Sequence, residues 1–103
     1  CYFFQLANRA FQTNNWSLVI NLYEEADSQE LRPQRYQDFF PLMAAYIQTG
    51  KLQEAEKISE KLIKSPSSKN TVCTQWKTEI SRGSLEEEVI KKAKTVMNNL
   101  GCD

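Results

Sequence analysis

The stretch that decides the fold runs from Leu42 to Leu52 and reads LMAAYIQTGKL. An earlier stretch, from Leu6 to Trp16, reads LANRAFQTNNW. Gln12-Thr13 before the turn residue Asn14 thus recurs as Gln48-Thr49 before Gly50, at an offset of 36 residues (12 to 48). Both stretches place apolar residues three and four apart, which is the period of an amphipathic helix. Internal repeats of this length are typical of stacked helical hairpins. We therefore predict an all-α protein whose antiparallel helical hairpins stack as an α-solenoid.

A weaker copy of the same turn predicts a third hairpin. Gly83 and Leu85 repeat the spacing of Gly50 and Leu52, although the small residue Ala55 then has no counterpart. We expect about three hairpins, with six helices, over residues 2–31, 34–64 and 69–100. All three belong to one helical-repeat unit that spans residues 1–103.

Helix boundaries are predicted from breakers and caps. The segment 65–68 reads SPSS and is predicted to be a loop that separates two hairpins. Pro33 and Gln34 are predicted to open the second hairpin, with Pro41 in the first turn of its helix. Ser84, followed three residues later by Glu87, predicts a capping box at the start of the last helix.

Composition excludes several classes of function. Thirteen basic and thirteen acidic residues cancel, so the chain has no long-range field that would draw it to phosphate backbones. It contains no histidine, the usual general base and metal ligand. We therefore predict no enzymatic activity, no metal and no cofactor. The sequence opens at a cysteine rather than a methionine, and we expect it to be a segment of a longer protein.

The three cysteines, Cys1, Cys73 and Cys102, are an odd number without CxxC spacing. This pattern indicates neither a zinc site nor a disulfide framework and fits a reducing compartment. Cys73 has helical spacing from Val72 and Trp76 and is predicted to fill the core. The longest apolar stretch, 39–47, is too short to span a bilayer, so we expect no membrane partner.

The second hairpin resembles the pentatricopeptide repeat family. Matches are found at Phe39, Leu42, Gly50-Lys51-Leu52 and Glu54-Ala55, and Leu31-Arg32-Pro33-Gln34 resembles the closing segment of a repeat. The resemblance covers roughly two thirds of the chain. Its Gly-x-Leu-x-Glu-Ala core is shared with tetratricopeptide repeats, whereas the Leu-Arg-Pro-Gln tail favours the pentatricopeptide family.

This resemblance implies single-stranded RNA binding in a mitochondrion or chloroplast, with one nucleotide facing each repeat. The base-reading positions of the family then fall on Phe4 with Gln34, on Phe40 with Asn70, and on Cys73. Nearby cations would contact phosphates. The full set implicated in RNA or partner binding is Phe4, Gln34, Arg35, Gln37, Phe40, Lys69, Asn70 and Cys73.

The two aromatic residues depart from the family pattern. Phe4 and Phe40 stand where the family places Asn, Ser or Thr, and a phenyl ring cannot hydrogen-bond a base edge. They could stack on bases, or they could pack between neighbouring helices or contact a protein. The alternative function is accordingly a protein-protein scaffold of the tetratricopeptide kind, in which the groove of the first helices holds a partner. A third is a targeting arm for a catalytic domain elsewhere in the full-length chain.

Overall fold

The structure, a computed structural model, describes residues 2–33 and 35–102, with all side chains except that of Tyr2. Within those residues the chain forms six α-helices and one short 3-10 helix, and it contains no β-strand. The all-α prediction with six helices is confirmed. The helices are α1 (Tyr2–Gln12), α2 (Trp16–Ser28), α3 (Phe40–Gln48), α4 (Leu52–Leu62), α5 (Pro66–Ser81) and α6 (Glu87–Asn99), and the 3-10 helix is Tyr36–Phe39.

Helices that are consecutive in the chain pack against each other throughout, from the pair α1 and α2 to the pair α5 and α6. Contacts also link helices two positions apart, namely α1 with α3, α3 with α5, and α4 with α6. This pattern of contacts is the one expected of hairpins that lie side by side. The described chain measures 36 × 30 × 19 Å along its principal axes.

The first two hairpins turn in the same way. Asn14 and Gly50 both adopt left-handed backbone, with φ of 59° and 79°. In each turn the next residue donates its backbone N–H to a carbonyl five residues back, at 2.9 and 2.8 Å. Thr13 and Thr49 also donate their hydroxyls to carbonyls of the preceding helical turn. These bonds define a Schellman C-cap at the end of each first helix. The turn predicted at both copies of Gln-Thr is confirmed.

The segment 65–68 is not the loop that its composition predicts. Pro66 begins α5, and Ser65 is its N-cap. The Ser65 hydroxyl accepts the backbone N–H of Ser68 at 3.1 Å, while the Ser68 hydroxyl accepts the backbone N–H of Ser65 at 2.9 Å. Serine before proline at the first helical position is a helix start, and this reciprocal pair makes it a strong one.

The start of the second hairpin is also corrected. Gln34 lies outside the described residues, and α3 begins only at Phe40, after the 3-10 helix. Pro41 lies in the first turn of α3, as predicted. Because Pro41 has no N–H and its ring would clash with the carbonyl of Gln37, a regular α-helix cannot run through this point. The preceding residues take the tighter 3-10 form instead.

The last helix does not use the predicted capping box. It begins at Glu87 after Glu86, whose side chain makes no capping bond. The Ser84 hydroxyl instead donates to the side-chain oxygen of Gln48 at 2.6 Å. Leu85 therefore precedes α6, whereas Leu52 is the first residue of α4, and the third hairpin departs from the pattern of the first two.

Helix α3 lies at the centre of the core. Leu42 and Ala45 pack in an apolar cluster with α1 and α2, and Met43 and Ile47 pack in a second cluster with the three later helices and Cys102. Six of the nine residues of α3 are consequently buried, and the other three are partly buried. A helix that is apolar all round is one that its neighbours enclose.

The cysteine prediction is wrong for one pair. Cys73, in the middle of α5, is bonded to Cys102, which lies beyond the end of α6, at a sequence separation of 29. Cys73 is buried beside Trp76, so its predicted place in the core is confirmed. An odd number of cysteines does not show which two are bonded, because the pairing depends on how α5 and α6 pack.

Candidate partner-binding cleft

Three of the predicted site residues line one cleft. Phe4, Arg35 and Gln37 face a space of about 640 Å³ between α1, the α2–α3 connection and the start of α3. This space is called the cleft below. Its full lining is Phe4, Gln5, Asn8, Tyr23, Leu31, Arg32, Arg35, Gln37, Asp38 and Pro41.

Phe4 packs against Tyr23, another residue that lines the cleft. Its half-buried ring lies 5.3 Å from the ring of Tyr23, centroid to centroid, at an interplanar angle of 51°. A tilted pair at this distance is a favourable aromatic contact. Phe4 thus packs between helices and still contributes a face to the cleft.

Tyr23 connects α2 to the 3-10 helix. Its hydroxyl donates to the backbone carbonyl of Asp38. Burial raises the pKa of the Tyr23 hydroxyl well above its usual value, and the nearby negative charge of Asp38 raises it further. The pKa of Tyr46 is raised in the same direction, first by burial and then by the charges of Glu24 and Glu54.

These shifts predict how stability depends on pH. The folded chain holds the Tyr23 proton more tightly than the unfolded chain does. This contribution is complete below about pH 10, the unfolded pKa of tyrosine, and is lost as the pH rises from there through the folded pKa. The free energy of unfolding, measured in urea from about pH 8 to about pH 11, should fall less steeply above pH ~10 in Tyr23→Phe than in wild type. Parallel curves for the variant and wild type would contradict the assignment.

The arginines of the cleft already have carboxylate partners. Arg35 contacts Asp38 through two nitrogens, at 3.1 and 3.4 Å, and Arg32 lies 2.6 Å from Asp27. Exposed pairs of this kind contribute little to stability. They do neutralise the two cations, so the cleft lacks the unpaired positive charge that a phosphate backbone attracts.

Carboxamides supply the remaining polar groups. Gln5 and Asn8 are exposed and lie three residues apart on α1, hence on one face of that helix, and Gln37 faces them from the 3-10 helix. A carboxamide both donates and accepts hydrogen bonds. Leu31, which is 39% exposed, adds an apolar surface. Sequence reasoning missed Gln5, Asn8 and Leu31, although the spacing of the first two on a predicted helix could have indicated them.

The other predicted site residues lie elsewhere. The Phe40 ring packs edge-on against Tyr36, with centroids 5.3 Å apart, and also contacts the apolar cluster of α4 to α6. Lys69 extends over Gly101, since a Cβ built on that glycine would lie 2.5 Å from the lysine Nζ. Asn70 is exposed on α5. Cys73 is buried with its sulfur in the disulfide, so it has no free thiol.

A buried polar cluster near the end of α5 was not predicted. The Glu79 carboxylate is fully buried and accepts bonds from the side chains of Gln48 at 2.8 Å, Gln75 at 2.7 Å and Arg82 at 2.8 Å. The side chains of Gln48, Gln75 and Arg82 are thus all hydrogen-bonded to the Glu79 carboxylate. The cluster therefore fixes α3 to α5 and offers no free group for acid-base chemistry.

Arg82 extends this cluster to the first hairpin. Its guanidinium carbon lies 5.8 Å from the ring centroids of both Phe11 and Trp16. A cation at this distance is attracted to the face of an aromatic ring. Phe11 and Trp16 themselves meet edge-on across the α1–α2 turn. Arg82 thus links the last hairpin to the first.

Searches of protein-family models, of curated proteins and of solved structures found no match to this chain. Within the described residues, none of the helices combines the length and the apolar character that crossing a bilayer requires.

Proposed function

We propose that this chain is a non-catalytic helical-repeat module that binds an extended segment of a partner protein in the cleft. The observation that carries the proposal is the chemistry of the lining. Exposed carboxamides stand beside the apolar surfaces of Phe4 and Leu31, while both arginines are neutralised by carboxylates.

A peptide segment fits this lining because its backbone alternates donors and acceptors. Gln5, Asn8 and Gln37 can satisfy both kinds of group from two sides of the cleft. An apolar side chain of the segment would lie against Phe4 and Leu31, where it displaces water from partly exposed carbon. The cleft lies along α1 and the start of α3, which corresponds to the groove of the first helices in the scaffold hypothesis.

Single-stranded RNA is the second candidate, and one observation favours it. Phe4 and Arg35 line the same cleft, where a base could stack on the ring and a phosphate could approach the guanidinium. The neutral chain and the pairing of Arg35 with Asp38 weigh against it.

A mitochondrial or chloroplast setting rests on the family resemblance, and the disulfide favours a compartment in which thiols are oxidised.

The test is selection of a phage-displayed library of random 12-residue peptides on the purified chain, followed by anisotropy titration of the enriched peptides. Loss of several hydrogen bonds in Gln5→Ala with Asn8→Ala should weaken binding about tenfold or more. Phe4→Ala should weaken it further through lost apolar contact. Gln12→Ala, an exposed carboxamide at the end of the same helix and outside the cleft, is the matched control and should bind as wild type does.

A mixed-sequence RNA oligonucleotide is titrated in parallel at low and physiological salt. If no peptide is enriched and RNA binds with a salt dependence that Arg35→Ala reduces, RNA is the ligand and the peptide proposal is rejected. If peptides are enriched but the Gln5 and Asn8 substitutions have no effect, the chain binds protein at another surface and the cleft assignment is rejected.

A further inference from the structure

A second groove lies at the opposite end of the chain, between α5 and α6, and shares no residue with the cleft. Its volume is about 410 Å³. The groove is lined by Lys77, Ile80, Lys94, Met97, Asn98 and Cys102. Its apolar floor consists of Ile80, Met97 and Cys102, the last of which is bonded to Cys73 of α5.

Its polar rim carries one sign of charge. Lys77 on α5 and Lys94 on α6 flank the apolar floor, and the residues of the described chain that line the groove include no carboxylate. Among the described residues neither lysine forms an ion pair. The acidic residues of α6 lie at its first turn, whereas the groove follows its second half.

Two further features adapt the groove to a ligand. Met97 is a flexible and polarisable side chain, which adjusts to apolar groups of differing shape. The Cys73–Cys102 bond fixes the end of α6 to the middle of α5, so the width of the groove is set before any ligand arrives.

We propose that this groove binds an acidic amphipathic helix of a partner protein. The apolar face of such a helix would pack on Ile80 and Met97, and its carboxylates would pair with Lys77 and Lys94. The charge of the rim selects this occupant, because an apolar helix with a basic polar face would place like charges together. The inference does not depend on the function proposed for the cleft.

The probe is a fluorescein-labelled synthetic peptide of about 16 residues, with leucines on one helical face and glutamates on the other. We expect it to bind the oxidised wild-type chain and to bind less tightly as salt is raised. Lys77→Glu combined with Lys94→Glu should weaken binding at least tenfold. Lys57→Glu combined with Lys91→Glu makes the same change in net charge at exposed sites outside the groove and should change binding less than twofold.

A charge swap provides the stricter test. The same peptide with lysine in place of every glutamate should bind the Lys77→Glu, Lys94→Glu chain more tightly than it binds wild type. Equal losses for the groove pair and the control pair would show a general charge effect and overturn the proposal. The proposal would also be overturned if the acidic peptide failed to bind at low salt, or if the mixed-sequence RNA bound to Lys77 and Lys94 more tightly than the peptide does. A dimer of this chain that Met97→Glu dissociates would likewise overturn it, because a second copy would then occupy the groove.

Discussion

Replacing Trp76 by alanine is expected to lower the free energy of unfolding by about 3–5 kcal/mol, the range found when a large aromatic side chain is removed from a core. The Trp76 side chain is fully buried, and it is the largest of those with no exposed surface. It lies in the apolar cluster that joins α3 to the three later helices. Urea denaturation followed by circular dichroism at 222 nm measures the change without relying on the fluorescence of the residue removed.

The contribution of the Trp76 hydrogen bond to stability can be measured separately from that of its side-chain volume. Its indole N–H donates to the Ser59 hydroxyl at 2.8 Å, and that hydroxyl donates its single hydrogen to the Ala55 carbonyl, also at 2.8 Å. Trp76→Phe, Ser59→Ala and the double variant form a double-mutant cycle, for which we expect a coupling of about 0.5–1.5 kcal/mol. A loss below about 1 kcal/mol in Trp76→Ala would contradict the burial of this residue.

The parts of the fold that could be predicted are those set by local periodicity. Val72, Cys73 and Trp76 have helical spacing, and all three are buried on one face of α5. The Gln-Thr turn was predictable for a similar reason, since a left-handed residue after a helix is a local requirement that Asn14 and Gly50 both meet.

Composition alone predicts the wrong structure where one residue type has two uses. Ser65 and Ser68 are as common in loops as at helix starts, and only the position of Pro66 between them indicates the start of α5. The opposite error concerns Glu79. A glutamate on a helix is normally solvated, and nothing in the sequence shows that Gln48, 31 residues earlier, supplies it with a hydrogen bond.

The cleft could be predicted only in part. The family pattern predicts Phe4 as a base-reading residue and Arg35 as a nearby cation, and the structure places both in one cleft with Gln37. Their proximity depends on the 3-10 helix before Pro41 and on the bond from Tyr23 to the Asp38 carbonyl. Neither feature has a recognisable sequence pattern, because each depends on how α2 meets the chain that follows it.

Breaking the Cys73–Cys102 bond is expected to cost about 3–4 kcal/mol, from the entropy of closing a loop with a sequence separation of 29 residues. Cys73→Ser combined with Cys102→Ser, both in a Cys1→Ser background that prevents exchange, removes the bond. Urea denaturation of the two chains gives the difference in the free energy of unfolding. Adding a phosphine reductant should destabilise the chain that keeps the bond and leave the variant without it unchanged, which controls for effects of the reductant itself.

The denaturant slope reports how the bond acts. If it restrains the unfolded chain, the bonded protein exposes less surface on unfolding, and its m value should rise when the bond is removed. Removing the disulfide should also destabilise α6 locally. The Cys102 N–H caps that helix by donating to the Met97 carbonyl at 2.8 Å, next to the disulfide. Hydrogen exchange of residues 87–99 should therefore accelerate more than that of α1 and α2. Equal unfolding midpoints with and without the bond would show that the packing of α5 on α6 suffices to hold the last hairpin.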